Sequence, residues 1–216
     1  MGIKIDWKIL IFLSLFLVTG QSKTYAIIMA FALVHETGHL IAGMLLGLRP
    51  QKMRILPFGA SISFEYCNKT NLQKLIIPLA GPITNALIAI IMLFMPEFTD
   101  RTLIIYSNIL IAIFNLLPIY PLDGGRIIKA LLERKNNKEQ SSNIINKISN
   151  ITAVILTILA SIGIIYLQNI AILFIIAYIW VIIISENRKH KTKKKVYAII
   201  KADRKKREKD KNKIAK

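Results

Sequence analysis

The sequence is poor in the residue types that disulfide-built, repeat and soluble catalytic folds depend on. Cys67 is the one cysteine among 216 residues, so no internal disulfide can form and a disulfide-stapled secreted domain is excluded. Tryptophan falls to 2 and histidine to 3, and the 12 Asp and Glu are outnumbered by 30 Lys and Arg, for a formal net charge of +18. No internal repeat is present, which excludes a solenoid. The first apolar run, about residues 9–18, has Lys4 and Lys8 before it but no A-x-A-like site after it. It therefore reads as an uncleaved first span rather than a removable leader.

What the chain has in excess is apolar. Hydrophobic residues make up 54% of it, gathered in long Ile- and Leu-rich runs that suit a bilayer better than a water-facing core. Six segments stand out, at roughly Lys8–Gly20, Tyr25–Leu48, Leu75–Met95, Thr102–Pro118, Ile148–Leu167 and Ile170–Ile184. The last two are joined by Gln168-Asn169, short enough for an antiparallel hairpin. Between the second and third, the alternating stretch ILPFGASISFEY from Ile55 to Tyr66 is too short to span as a helix and reads as a strand or hairpin at membrane depth. The expected fold is an all-α polytopic membrane protein of six transmembrane helices with that short β element. Residues 1–185 form its membrane domain and 186–216 a basic cytoplasmic tail. Lys135 to Asn143 read as a polar linker.

Charge orients this arrangement. Arg49, Lys52, Arg54, Lys69 and Lys74 follow the second segment, and Arg126, Lys129, Arg134, Lys135, Lys138 and Lys147 follow the fourth. The intervening connections are nearly uncharged or mildly acidic. From Glu186 onward the tail holds 15 Lys or Arg against 4 Asp or Glu. The positive-inside rule then puts both termini in the cytoplasm. Binding of nucleic acid by the tail is the less favoured use of the same charge; holding the last span is the simpler one.

The chemistry lies in the second segment, at His35-Glu36-Thr37-Gly38-His39. Residues four apart share one helix face, so both imidazoles can reach one zinc ion with Glu36 beside them as a base. A metal lowers the pKa of a water molecule from 15.7 towards roughly 7. Surface occurrences of H-E-x-x-H are explained by solvent, but an ionisable group near mid-membrane costs about 2.5–3.5 kcal/mol, and three together demand a compensating role. His190, in the Lys-rich tail, reads as merely solvated. The best third ligand is Asp123, which ends the run Asn115-Leu-Leu-Pro-Ile-Tyr-Pro-Leu-Asp123-Gly-Gly. Asp-Gly-Gly alone would be a turn. Here Pro118 and Pro121 break the segment and can aim the carboxylate back at the histidines. Asn85 and Asn115 also sit in apolar surroundings. Each could donate to a substrate carbonyl or oxyanion; a helix-to-helix hydrogen bond is the simpler reading for Asn85, and for Asn115 the two stand level.

HETGH, the following Ala80-Gly81-Pro82-Ile-Thr-Asn85, and the N-x-x-P-x-x-P-L-D-G run of Asn115–Gly124 together resemble the site-2 protease family of intramembrane zinc metalloproteases. Leu56-Pro57-Phe58-Gly59 and the wording NLLPIYPLDGG are most like its stage IV sporulation protein FB group. The resemblance covers about Ile28 to Leu132. It implies a six-span core, one zinc held by His35, His39 and Asp123, and Glu36 as general base. It also implies that the segment carrying Phe58 and Gly59 receives substrate as an extended strand; Asn115 is a further candidate substrate contact on the reading of its own surroundings. In sporulation relatives the substrate is a membrane-associated sigma factor precursor, and membrane inhibitor proteins and the outer forespore membrane belong to the same expectation. Those relatives continue into a soluble nucleotide-sensing domain where this chain has its basic tail. Two alternatives remain: a housekeeping member that clears remnant signal peptides, and a non-catalytic membrane metal-binding protein or transporter.

Overall fold

The structure, a computed structural model, describes residues 2–5, 10, 14, 17, 20, 22–56, 59–64, 70–167 and 171–214. In chain order its elements are β1 (Gly2–Ile5), α1 (Ser22–Leu45), β2 (Pro50–Leu56), β3 (Gly59–Phe64), α2 (Asn71–Phe94), α3 (Arg101–Leu116), α4 (Asp123–Lys135), α5 (Lys138–Leu167) and α6 (Ala171–Ile214). They fall into two compact units: residues 1–117 with 122–134, and residues 118–121 with 135–216. Helices dominate, and α1, α2 and α5 are each long and apolar enough to cross a membrane, while α3 is a shorter apolar helix. The first expected span, Lys8–Gly20, falls largely outside the described residues.

In the first unit, α1 packs against α2 and α3, and α2 packs against α3. The α2 start follows from its sequence. Thr70 is the N-cap, its hydroxyl accepting from the Gln73 amide at 3.2 Å while the Gln73 side chain accepts from the Thr70 amide at 2.8 Å. That reciprocal pair satisfies two of the orphan donors of a helix terminus. The Gln73 amide also donates to the Leu46 carbonyl at 3.0 Å, tying the end of α1 to the start of α2. At the opposite end Lys23 meets Asp100 at 2.6 Å, and Arg101 donates to the Met92 and Leu93 carbonyls in the last turn of α2, where helical amides run out.

The expected strand region is a three-stranded sheet of order β1-β2-β3. β2 and β3 form the antiparallel hairpin, closing at Leu56↔Gly59, and β1 adds in parallel through Gly2↔Lys52 to Ile5↔Ile55. Pro57 and Phe58 lie outside the described residues. Phe64 seals the sheet onto the helices, in one apolar cluster with Leu48 and Ile77.

Burial in this unit is the reverse of a water-soluble protein. Ile83, Leu87, Ile90, Ile91, Ile109 and Ile113 are all exposed, whereas His35, His39, Asn85, Ser107, Asn108 and Asp123 are buried. An apolar outside of that extent is stable only against lipid, where polar side chains turn to the interior.

In the second unit α5 begins at Lys138, so only residues 136–137 separate it from α4, and the polar stretch expected as a linker is mostly helical. Lys138, Glu139 and Gln140 are exposed in its first turn, Ser141 is buried, and Ser142 and Asn143 meet His190 of α6 at 3.2 and 3.0 Å, so His190 is not merely solvated. α6 continues without a break across residue 185 to Ile214. α5 and α6 are joined by a reciprocal amide pair between Asn150 and Asn187 (2.9 and 3.2 Å) and by Trp180 Nε1 donating to Thr157 Oγ1 at 3.0 Å.

Candidate active site

The site is built within the first unit. His35 and His39 are one turn apart on α1, both buried, with ring centroids 4.7 Å apart and planes nearly perpendicular. Asp123 opens α4, where its carboxylate faces both rings. His35 Nε2, His39 Nε2 and Asp123 Oδ2 form a triangle with all three sides 3.1 Å. Residues 84 and 88 positions apart are thus brought to one point, as the sequence spacing required of any third ligand.

What the triangle can do follows from the far side of each ring. His39 Nδ1 is 2.7 Å from the Ile77 carbonyl, which can only accept, so Nδ1 carries the proton. The Gly81 amide also points at this nitrogen, at 3.3 Å, but that contact is longer and cannot compete with the carbonyl. His35 Nδ1 is 2.5 Å from Asn85 Oδ1 and donates to it. Both Nε2 atoms are therefore left with lone pairs, pointing at each other and at a carboxylate oxygen. Three electron-rich atoms at 3.1 Å repel unless a cation joins them. Zinc ligands at 2.0–2.1 Å in tetrahedral array stand about 3.3 Å apart, close to this triangle. The donor set, two neutral imidazoles and one carboxylate, fits zinc and leaves a fourth position.

Neighbouring backbone makes room for the group. A Cβ on Gly81 would stand 2.5 Å from both Nε2 atoms, so only glycine fits where α2 passes the imidazoles. Pro78 and Pro82 flank this stretch inside α2, and just before Pro78 the Ile77 carbonyl turns to His39. Gly124 plays the same part for the aspartate: a Cβ there would meet the Leu116 carbonyl at 2.0 Å, so α4 can start tightly beneath the end of α3. A 2.6 Å ion pair between Lys74 and Glu133 ties α4 to α2.

Glu36 follows His35 on α1, is partly exposed and is not one of the three converging ligands. Arg126 lies 3.8 Å from the other oxygen of Asp123. Asn115 does not face the triangle through its amide nitrogen, which donates to Ile111 of its own helix at 2.9 Å. Gly59 opens β3, and Phe58 lies outside the described residues. Asn85, read from sequence as a helix-to-helix contact, does bond across helices, to Asn108 Oδ1 at 2.7 Å, but its other end holds a candidate ligand. Sequence reasoning passes over Asn108. The signal was there, since an amide in the middle of the fourth apolar segment is as costly as the two asparagines that were singled out.

Comparison with known proteins agrees with this chemistry. The model of Peptidase family M50 matches residues 23–100 and 101–159. Zinc metalloprotease MJ0392 of Methanocaldococcus jannaschii is 28% identical over 173 residues, covering 72% of this chain and 50% of that protein. Stage IV sporulation protein FB of Bacillus subtilis is 27% identical over 125 residues, covering 55% of this chain and 43% of that protein. This chain thus spans about half the length of the curated relatives it matches. The solved site-2 protease from Methanocaldococcus jannaschii shares its fold, with a TM-score of 0.68 at 24% identity over 86% of this chain and 91% of that one. With three-fifths of its length matched by one family model and the ligand triangle formed, the chain belongs to peptidase family M50, the site-2 protease family.

Proposed function

We propose that this chain is an intramembrane zinc endopeptidase of regulated proteolysis, and that its substrate is a membrane-associated protein. The observation that carries the reading is the triangle of His35 Nε2, His39 Nε2 and Asp123 Oδ2, buried in a helical unit whose outside is apolar. One zinc ion held there would act as a Lewis acid, polarising the scissile carbonyl and lowering the pKa of a water molecule towards about 7. Glu36 then takes the proton from the attacking water and passes it to the leaving amine. His39 lies six residues from the end of α1, about 9 Å at helical rise, so water reaches the site from the side of the basic loops.

Substrate enters as an extended strand. β3 pairs with β2 on one edge only among the described residues, which leaves its other edge for strand addition beside Phe58 and Gly59. A strand exposes a peptide bond that a helix would protect. Asn115, once released from Ile111, donates to the substrate carbonyl. The metalloprotease domain occupies residues 1–185 and the basic tail 186–216, with both termini in the cytoplasm of a multi-pass membrane protein, as the basic loops favour.

The specific substrate is the pro-sequence of a sigma factor precursor, in the outer forespore membrane and under membrane inhibitor proteins. The match to the sporulation protein and the NLLPIYPLDGG wording support this assignment. The experiment is co-expression of the chain, or its Glu36→Gln variant, with candidate sigma factor precursors and with signal-peptide remnants. Cleavage of a precursor by the wild type alone supports the assignment. Cleavage of remnants alone makes this a housekeeping enzyme, and equal cleavage by both forms removes the protease mechanism.

A further inference from the structure

We propose that Asn108 and Asn85 form a positioning relay that sets the tautomer of His35 and thereby its hold on the metal. The inference rests on the reading of His35 as a ligand. Both asparagines are fully buried, at 0% exposure, and both lie in apolar helices. Neither could be kept there without a partner at both its oxygen and its nitrogen, since each unsatisfied amide group costs on the order of 1–3 kcal/mol.

The relay has a direction, and the backbone fixes it. It begins at the Ile104 carbonyl on α3, which can only accept. Asn108 must present its Nδ2 to that carbonyl, at 2.9 Å, and so turns its Oδ1 the other way. That oxygen accepts from Asn85 Nδ2 at 2.7 Å, which turns Asn85 Oδ1 towards α1. Asn85 Oδ1 in turn accepts from His35 Nδ1 at 2.5 Å. Every amide orientation along the line is thus dictated by one main-chain carbonyl, and the line ends by placing a proton on His35 Nδ1 and a lone pair on Nε2.

The two ligand histidines reach the same tautomer by different routes. His39 is set directly by the Ile77 carbonyl on α2. His35 is set through two side chains from a carbonyl on α3. The relay makes α3, which contributes no residue to the triangle, part of the metal site. Asn108 and Asn85 act only through His35 and are positioning residues.

The test uses the purified full-length chain in detergent. Zinc affinity is measured by competition with a chromophoric chelator, cobalt replaces zinc to read the ligand field, and thermal unfolding checks the fold. Asn108→Leu keeps the branched shape and heavy-atom count of the side chain, though not its volume, and removes the amide. It should weaken zinc binding roughly tenfold to a hundredfold and shift the cobalt bands, as loss of an outer-shell partner does. Asn108→Asp, whose buried neutral carboxyl offers the same donor to Ile104 and the same acceptor to Asn85, should restore most of the affinity. Because the residues act in series, Asn85→Leu with Asn108→Leu together should bind about as well as Asn85→Leu alone. Wild-type affinity and cobalt spectrum in Asn108→Leu overturn the relay, as does an Asn108→Asp variant no better than Asn108→Leu. If the wild type binds no zinc, or His35→Ala binds it equally well, the metal reading itself falls, a failure separable from that of the relay.

Discussion

Among the described residues, an amide pair half-buried between α5 and α6 and a polar group buried between α1, α2 and α4 are wired in opposite ways. In the α5–α6 pair, Asn150 and Asn187 exchange hydrogen bonds, each amide giving a proton and taking one. In the α1–α2–α4 group, both imidazoles spend their protons outward, on Asn85 and Ile77, and turn lone pairs inward against a carboxylate. The first arrangement is complete in itself and needs nothing further. The second is complete only with a cation. Polarity between helices therefore means glue in one place and chemistry in another, and the direction of the protons tells them apart.

The strongest way to break the comparison is to remove an inward-facing group. His35→Ala and Asp123→Ala should each abolish cleavage of a co-expressed substrate to background. Glu36→Gln should cut cleavage by about 100-fold to 10,000-fold, the usual share of a general base, while zinc remains bound. A variant that lost zinc as well would mean that Glu36 helps hold the ion. Gly81→Ala comes next. Its methyl would press on both Nε2 atoms, and a displacement of about 1 Å costs on the order of 100-fold in rate. Near-normal activity would show that α2 can retreat. The smallest effect lies in the self-satisfied pair. Asn150→Leu with Asn187→Leu should leave cleavage unchanged and shift unfolding by about 1 kcal/mol, the net worth of a typical hydrogen bond. Asn150→Leu alone should cost more than the double change, because it strands the Asn187 amide.

The second of these wirings was partly legible in the sequence. The spacing of His35 and His39 fixes their common helix face without any tertiary knowledge, and Asp123 is the acidic group that the proline breaks can turn back. The alternation from Ile55 to Tyr66 likewise announces β3, whereas β2 begins at Pro50, ahead of that stretch. Other features depend on contacts between distant segments. β1 is four residues long and is a strand only because β2 offers it an edge. The helical start of α5 at Lys138 defeats a polarity argument, because a solvated first turn and a linker have the same composition. Asn85 and Asn108 are each readable as costly amides, but that one faces a ligand and the other faces the first depends on how α1, α2 and α3 pack. Sequence supplies the groups with a reason to be there; packing decides to which partner each is pointed.

The account stands on the inward lone pairs requiring an ion, and metal analysis of the purified chain tests that most directly. About one zinc per chain is predicted for the wild type and for Glu36→Gln, with its loss in Asp123→Ala. A folded, active wild type free of metal, or an Asp123→Ala variant retaining it in full, would contradict the account.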